Sequence, residues 1–208
     1  MEVAKVYSAA GKYAMRERPF REVSGPGSMA AWFGGGANIA PGEVTLANRG
    51  VLYVEDYTIV PKSVREGTRG PMEDGKIVIS RLKSRVEYPA KFQLILAANP
   101  CPCGYYGEGD RCTCTTSQRE AYLAGLSGPV MDMVDIQVWC HPVTGEGIPG
   151  ETAAVVAERV RKAREVQMKR QGKLNAELKT SELPELSNEC KDLVAKLIGR
   201  LGLSARAY

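Results

Sequence analysis

The stretch Phe92–Cys114 constrains the fold of this chain most, because it joins an apolar run to a loop rich in glycine and cysteine. The run FQLILAA ends abruptly at Asn99–Pro100. A short apolar run of this kind is typical of a strand buried on both faces, as in the parallel sheets of α/β domains. Open α/β sheets bind ligands beyond the carboxyl ends of their strands. Asn99 is therefore a candidate site residue.

The length and composition of the chain indicate an ordinary globular protein. Its 208 residues suffice for one large domain, or for one domain with an appendage. No apolar run approaches the ~20 residues that a membrane span requires, and the N-terminal residues lack the apolar segment of a secretory signal. We therefore expect a cytoplasmic protein without membrane partners, whose cysteines are thiols or metal ligands rather than disulfides.

Two adjacent acids, Glu55 and Asp56, follow a second short apolar segment, which is predicted to form a strand over Gly50–Val54. Paired carboxylates at a strand end suit a site that holds Mg²⁺ and activates water, although an ordinary turn also explains them. The glycine-rich residues 24–42 contain neither G-x-x-x-x-G-K-[ST] nor G-x-G-x-x-G. A flexible surface loop therefore explains them better than a phosphate site does.

A β-hairpin with a basic tip is predicted over residues 76–88, KIVISRLKSRVEY. Arg81, Lys83 and Arg85 lie at this tip, where contact with a nucleic-acid backbone and a plain solvated end are equally good explanations. The net charge of +4 also has two interpretations. It is compatible with nucleic-acid contact, but it is more typical of a solvated face.

The remaining periodic segments predict a strand and three helices. The strand covers residues 134–140, VDIQVWC, and the helices cover residues 116–126, 151–171 and 188–201. Thr116 or Ser117 is the expected cap of the first helix, with Glu120 placed for a capping box. Cys140 and Cys190 are expected in a core strand and a core helix, as small buried hydrophobes.

Four cysteines form the pattern C-x-C-x8-C-x-C: Cys101, Cys103, Cys112 and Cys114. Four thiolates so close in sequence can hold Zn²⁺ tetrahedrally, with Zn–S distances near ~2.3 Å. Such a metal would order a loop that has few packing residues of its own. Structural zinc is favoured here, with free thiols and disulfides as the alternatives. Catalytic zinc is disfavoured, because all four coordination positions would be filled.

Several collinear segments resemble the magnesium-chelatase-like AAA+ ATPases, and specifically their ComM/YifB competence group. The resemblance runs from about residue 1 to residue 208, and NPCPCG is its most distinctive part. The segments that carry it are PGEVTLANRGVLYVED, PMEDGKIVISR, YPAKFQLILAANPCPCGY, LSGPVMDMVDIQV, ERVRKAREVQ and LGLSARAY. The family fold implied is a parallel AAA+ sheet with helices, followed by a helical lid. We accordingly expect a core over residues 1–145 and a lid segment over residues 146–208.

The resemblance also implies a role for each candidate residue. Glu55 and Asp56 match the Walker B pair, in which one acid holds Mg²⁺ and the other polarises the attacking water. Asn99 matches sensor 1 and Arg206 matches sensor 2, both of which act on bound ATP. The hairpin 76–88 matches an insertion that faces the central pore of related rings and contacts DNA. DNA and further copies of the chain are thus the implied partners.

The chain also departs from the family pattern. It contains no Walker A motif, so we expect the AAA+ sheet of these residues to lack the strand and the lysine of the P-loop. The Walker B acids stand in reverse order, and Met133 occupies the position of the finger arginine. Residues 23–28 lack the histidine usual in the family. We therefore expect weak or no ATPase activity, and the alternative is a non-catalytic, zinc-stabilised structural or binding remnant of the family.

The missing P-loop strand predicts a disturbance of the sheet. That strand normally lies between the sensor-1 strand, residues 92–98 here, and the strand predicted at residues 134–140. We expect either that these two strands pair directly or that another segment or chain covers their edges.

Overall fold

The computed structural model describes residues 6–7, 17–36, 39–81, 84–141 and 150–201. The chain divides into two compact units, Met1–Val138 and Trp139–Tyr208. The boundary predicted between residues 145 and 146 falls outside the described residues and stays a prediction. Within the described ranges, no helix is both long and apolar enough to cross a membrane.

The first unit is built on a parallel three-stranded sheet in the order β1-β2-β5. Its strands are β1 (Phe20–Ser24), β2 (Val51–Glu55) and β5 (Gln93–Leu96). A separate antiparallel hairpin consists of β3 (Lys76–Arg81) and β4 (Ser84–Pro89). The structure therefore confirms a mixed α/β fold with a parallel sheet, and it confirms the predicted hairpin.

Short helices connect these strands, and two longer helices belong to the second unit. In the first unit these are α1 (Met29–Phe33), α2 (Glu43–Leu46), α3 (Lys62–Gly67), α4 (Arg69–Asp74) and α5 (Thr116–Leu123). In the second unit they are α6 (Ala153–Gln171) and α7 (Asn188–Leu201). Gly172 ends α6 in the left-handed conformation, which glycine adopts without steric cost. Both long helices lie where the sequence predicts them.

The core of the first unit lies around β2, the central strand. Leu52 and Val54 are fully buried on one face of this strand, and Trp32 and Val64 pack in the same apolar cluster. The start of β2 also requires a glycine, because a Cβ at Gly50 would lie 1.9 Å from the carbonyl oxygen of Pro19. This close approach brings β1 alongside β2.

The sequence does not predict β1, and it misjudges β5. The side chains of β1 alternate between exposed and half-buried, so its sequence carries only a weak local signal for a strand. Its position is fixed instead by parallel pairing with β2. Strand β5 lies at the edge of the sheet, and its side chains alternate between exposed and half-buried. The expectation of burial on both faces is therefore wrong for β5, because within the described residues only β2 pairs with it.

The predicted core strand over residues 134–140 is wrong. This segment has no regular secondary structure, and the side chains of Ile136 and Val138 are 79% and 77% exposed. Alternating apolar residues predict a strand, but a strand also needs a neighbour to accept its hydrogen bonds. Direct pairing of residues 92–98 with residues 134–140 is thus excluded. Coverage by another segment or chain stays a prediction.

Two smaller expectations are also wrong. Cys140 and Cys190 are exposed rather than buried, the first because its strand does not form and the second because α7 has no buried residue. Helix α5 is capped by Thr115, whose hydroxyl accepts from the backbone N–H of Gln118. In return, the side-chain oxygen of Gln118 accepts a hydrogen bond from the backbone N–H of Thr115. The capping box therefore lies one or two residues earlier than predicted.

Candidate nucleotide and metal sites

Asp56 and Asn99 meet at the carboxyl edge of the parallel sheet. Strands β2 and β5 run side by side, with Val54 opposite Leu96, so the residues that follow each strand emerge at the same edge. The side-chain amide Nδ2 of Asn99 donates a hydrogen bond to Oδ1 of Asp56 at 3.0 Å. Residues 43 positions apart in the chain are thus brought into direct contact.

The backbone at Asp56 is held in an uncommon conformation. Its φ of 49° lies in the left-handed region, which aspartate tolerates better than most residues. A hydrogen bond from the backbone N–H of Tyr57 to the carbonyl of Ala97, 2.9 Å long, continues the β2–β5 contact past this turn. Such conformations concentrate at functional sites, where the surrounding structure maintains them. The turn directs the Asp56 carboxylate toward Asn99.

The donor set at this edge fits one half of a magnesium–nucleotide site. Glu55 is exposed and Asp56 is partly exposed, and carboxylate oxygens are suitable ligands for Mg²⁺. The phosphate-binding half is not encoded in the sequence, which lacks a Walker A motif. Met133 lies in a 3₁₀ turn, Met131–Met133, and supplies no charge. Arg206 lies outside the described residues.

The hairpin displays Arg81 and Arg85 to solvent near its tip. Both residues are exposed; Arg81 is the last residue of β3 and Arg85 is the second residue of β4. Lys83 lies outside the described residues. At the opposite end of the hairpin, Nζ of Lys76 and a carboxylate oxygen of Glu87 form an ion pair at 3.1 Å. The two exposed arginines are therefore presented at the far end from this ion pair.

The structure brings the four predicted cysteines together in one cluster. Their Sγ atoms all lie within 4.8 Å of one another. The Sγ atoms of Cys101 and Cys103 are 3.4 Å apart, and each lies 3.8 Å from that of Cys112. Tetrahedral zinc with Zn–S bonds near 2.3 Å needs S–S separations of about 3.8 Å. The cluster, including Cys114, therefore has the geometry of a metal site.

The surroundings shift the pKa values of two of these thiols in opposite directions. A hydrogen bond from the backbone N–H of Tyr105, assisted by the Cys101 and Cys114 side chains, lowers the pKa of Cys103 to about 6. A backbone hydrogen bond at Cys103 lowers the pKa of Cys114, but desolvation and the neighbouring thiols outweigh it and raise that pKa to about 11. Thiolates are the form that binds metal. The lowered pKa of Cys103 therefore favours its metal-binding thiolate form near neutral pH.

Two tyrosine–arginine pairs flank the cysteine cluster, and sequence reasoning missed them. The guanidinium of Arg111 lies 4.2 Å from the ring centroid of Tyr105, and that of Arg119 lies 4.9 Å from the ring of Tyr106. Arg119 also donates to the carbonyl of Cys114 at 2.9 Å. The only signal in the sequence is the Tyr-Tyr pair directly after Cys103–Gly104. These contacts connect the cysteine loop to the start of α5.

Comparison with known proteins places both units in one family. The family model for magnesium chelatase, subunit ChlI, matches residues 1–148, and its C-terminal counterpart matches residues 150–208. The competence protein ComM of Haemophilus influenzae is 40% identical over 201 residues, which cover 93% of this chain and 39% of ComM. YifB of Escherichia coli is 41% identical over 203 residues, which cover 93% of this chain and 40% of YifB.

The coverage of these matches decides whether they establish the family alone or also the activity of the relatives. The chain spans about two fifths of the length of ComM and YifB, so the activity of those whole proteins is not transferred by similarity alone. The family models, by contrast, cover almost all of the 208 residues. The chain belongs to the magnesium chelatase subunit ChlI family, in its ComM/YifB group.

Proposed function

We propose that this chain is part of a magnesium chelatase-like AAA+ ATPase that processes DNA, and that these 208 residues alone turn over ATP weakly or not at all. The observation that carries the proposal is the contact between Asn99 and Asp56 at the carboxyl edge of a parallel sheet. This is where α/β sheets bind ligands, and an amide beside a carboxylate suits a water held against a phosphate. Family membership supports the same assignment.

Each residue has a definite task in this proposal. Asp56 offers its carboxylate to Mg²⁺ and Glu55 polarises the attacking water, while the cation supplies charge neutralisation to the phosphates when ATP is bound. Asn99 holds Asp56 in position through its amide and orients a water toward the terminal phosphate. Arg206 contributes a positive charge from the lid. The reversed order of Glu55 and Asp56 displaces each carboxylate by about one methylene, and errors on the order of 1 Å can slow a reaction ~10²-fold.

The exposed edge of β5 supports the proposed AAA+ architecture. An AAA+ sheet has its P-loop strand beside the sensor-1 strand, and β5 has only β2 as a neighbour among the described strands. We therefore propose that the sheet lacks its P-loop strand and that α6 and α7 belong to a helical lid. A cytoplasmic location and self-association into rings complete the proposal.

Calorimetric titration with ATP and Mg²⁺ tests the nucleotide site. We expect Mg²⁺-dependent binding tighter than about 1 mM, which is roughly −4 kcal/mol, without detectable phosphate release. Asp56→Asn should weaken this binding about tenfold, since a charged ligand to Mg²⁺ becomes neutral. Asp74→Asn, which changes an acid at the end of α4, is the matched control and should leave binding unchanged. The absence of any saturable heat would contradict the proposal and favour the alternative below.

Salt-dependent binding of single-stranded DNA tests the hairpin. Replacing Arg81, Lys83 and Arg85 together by Gln should weaken binding at low salt. It should also make the salt dependence shallower by about 2 in the slope of log K against log salt, at ~0.7 per phosphate contact. Fluorescence anisotropy with a labelled oligonucleotide at several salt concentrations measures both effects.

Three cations on α6 provide the control for that experiment. Lys162, Arg164 and Lys169 are all exposed, and replacing them by Gln removes the same charge from a different surface. Equal losses for the two triple variants would show that only net charge matters, and the assignment of the hairpin would then be abandoned.

A second candidate function follows from the cysteine cluster. Four Sγ atoms within 4.8 Å support a zinc-stabilised structural or binding module that needs no nucleotide. Cys101, which is fully buried, would be the inner ligand, and the other three cysteines would complete the tetrahedron. The zinc content of the purified chain and of a Cys101→Ser variant tests this candidate.

A further inference from the structure

A cleft of about 540 Å³ lies beside the cysteine loop in the first unit. The cleft is open to solvent, and none of the candidate nucleotide-site or metal-site residues lines it. Its walls come from the 3₁₀ turn Tyr57–Ile59, from α3, from Pro102, and from α5 with the 3₁₀ turn Ala124–Leu126 that follows it. The lining residues are Thr58, Arg65, Pro102, Gln118, Ala121, Tyr122, Ala124 and Gly125.

The polar side chains of this cleft are rich in hydrogen-bond donors. The oxygen of the Gln118 amide accepts from the backbone N–H of Thr115, and its NH₂ group makes no hydrogen bond within the part of the chain that the structure describes, so it is available as a donor. The hydroxyl of Thr58 is shielded from solvent and has no hydrogen-bond partner among the described residues. Tyr122 also lines the cleft. No carboxylate appears among the lining residues.

Arg65 brings a positive charge that lacks a carboxylate partner in the described part of the chain. The guanidinium lies 5.8 Å from the ring centroid of Tyr57, which is itself buried. Its Nη1 donates to the carbonyl of Gly125, and its Nε is shielded and has no hydrogen-bond partner in the described ranges. A guanidinium carries five N–H donors, and half-buried charges normally find a counter-ion. The cleft therefore presents a positive charge and hydrogen-bond donors, with no carboxylate among its lining residues to pair with them.

We propose that this cleft binds a phosphate group, with Arg65 as its charged anchor. The NH₂ of Gln118 and the hydroxyl of Tyr122 add neutral donors around the anion. Guanidinium groups match phosphate oxygens well, and a donor set without carboxylates does not repel the anion. The phosphate belongs either to a small molecule or to a nucleic-acid backbone, since both present the same oxygens.

Titration with inorganic phosphate, followed by amide chemical shifts, tests the site. We expect saturable shifts at Tyr122 and Gly125. Arg65→Met should weaken binding at least about tenfold, because it removes a charged donor. Arg69→Met, in the next helix, is the matched control, since this exposed arginine pairs with Glu73 outside the cleft and should leave binding unchanged.

A second, smaller substitution keeps the test decisive even if the Arg65→Met variant misfolds. Tyr122→Phe removes a single hydroxyl and should weaken phosphate binding severalfold while the rest of the amide spectrum is retained. The absence of saturable shifts in the wild-type chain, or equal losses in the Arg65 and Arg69 variants, would overturn the proposal.

A ten-nucleotide single-stranded DNA distinguishes the two sources of phosphate. If Arg65→Met weakens binding of both the oligonucleotide and inorganic phosphate, the cleft holds a nucleic-acid phosphate. If it weakens only inorganic phosphate, the ligand is a small phosphorylated molecule. Both outcomes support the site, and neither depends on ATP binding at Glu55, Asp56 and Asn99.

Discussion

Removing zinc from the purified chain is expected to unfold the cysteine loop, residues 101–114, and to leave the parallel sheet intact. The loop has few internal backbone hydrogen bonds, such as that from Gly104 to Cys101 at 3.0 Å, and Cys101 is its one fully buried residue. Structural zinc contributes apparent binding free energies of about 10–16 kcal/mol in zinc-finger peptides. A loop so dependent on its metal should lose its order when a chelator removes the ion.

The cysteine variants make this expectation quantitative. The wild-type chain should carry about one zinc per molecule, as four ligands form one site. Cys101→Ser should bind zinc more than about 100-fold more weakly, since even partners outside the ligand shell change affinity by about 10–100-fold. Elemental analysis measures the zinc content, and amide spectra before and after chelation report the order of the loop.

An exposed cysteine supplies the control. Cys190 lies on α7, outside the cluster, so Cys190→Ser should retain full zinc content. Less than about half an equivalent of zinc in the wild-type chain would contradict a four-cysteine site. Loss of zinc from both variants would point to adventitious binding at exposed thiols.

Leu52→Ala is expected to lower the free energy of unfolding of the first unit by about 2–5 kcal/mol. Leu52 is fully buried in β2, the central strand, and packs in the main apolar cluster. Truncation removes apolar contacts and leaves a cavity. Because β2 is paired with β1 on one side and β5 on the other, the backbone cannot easily shift to close this cavity. Because the free energy of unfolding of a domain is only about 5–15 kcal/mol, this one substitution should remove a large part of it.

Urea denaturation followed by circular dichroism measures the loss. Val78→Ala is the control, because Val78 also lies in a strand but is 40% exposed on the hairpin, and it should change the free energy by no more than about 0.5 kcal/mol. A loss below about 1 kcal/mol for Leu52→Ala would show that β2 does not carry the core of this unit.

The candidate sites were predictable to different degrees. The cysteine pattern places four ligands within fourteen residues, so a short loop can bring them together with little help from the rest of the fold. The contact between Asp56 and Asn99 depends on β2 and β5 being parallel neighbours. Apolar runs predict that two strands exist, but not which strands pair. The phosphate cleft has no sequence signal, because its lining residues come from four separate segments of the chain.

The sequence by itself determined the local elements: the hairpin, the helices Ala153–Gln171 and Asn188–Leu201, and the cysteine cluster. Their signals are side-chain periodicity, caps and close spacing, which act between residues near one another in the chain. Only the tertiary structure decided that β1 joins the sheet, that β5 is an edge and that residues 134–140 form no strand. A strand is stabilised by hydrogen bonds to a neighbour, so an apolar segment without that neighbour keeps its pattern but does not form the strand.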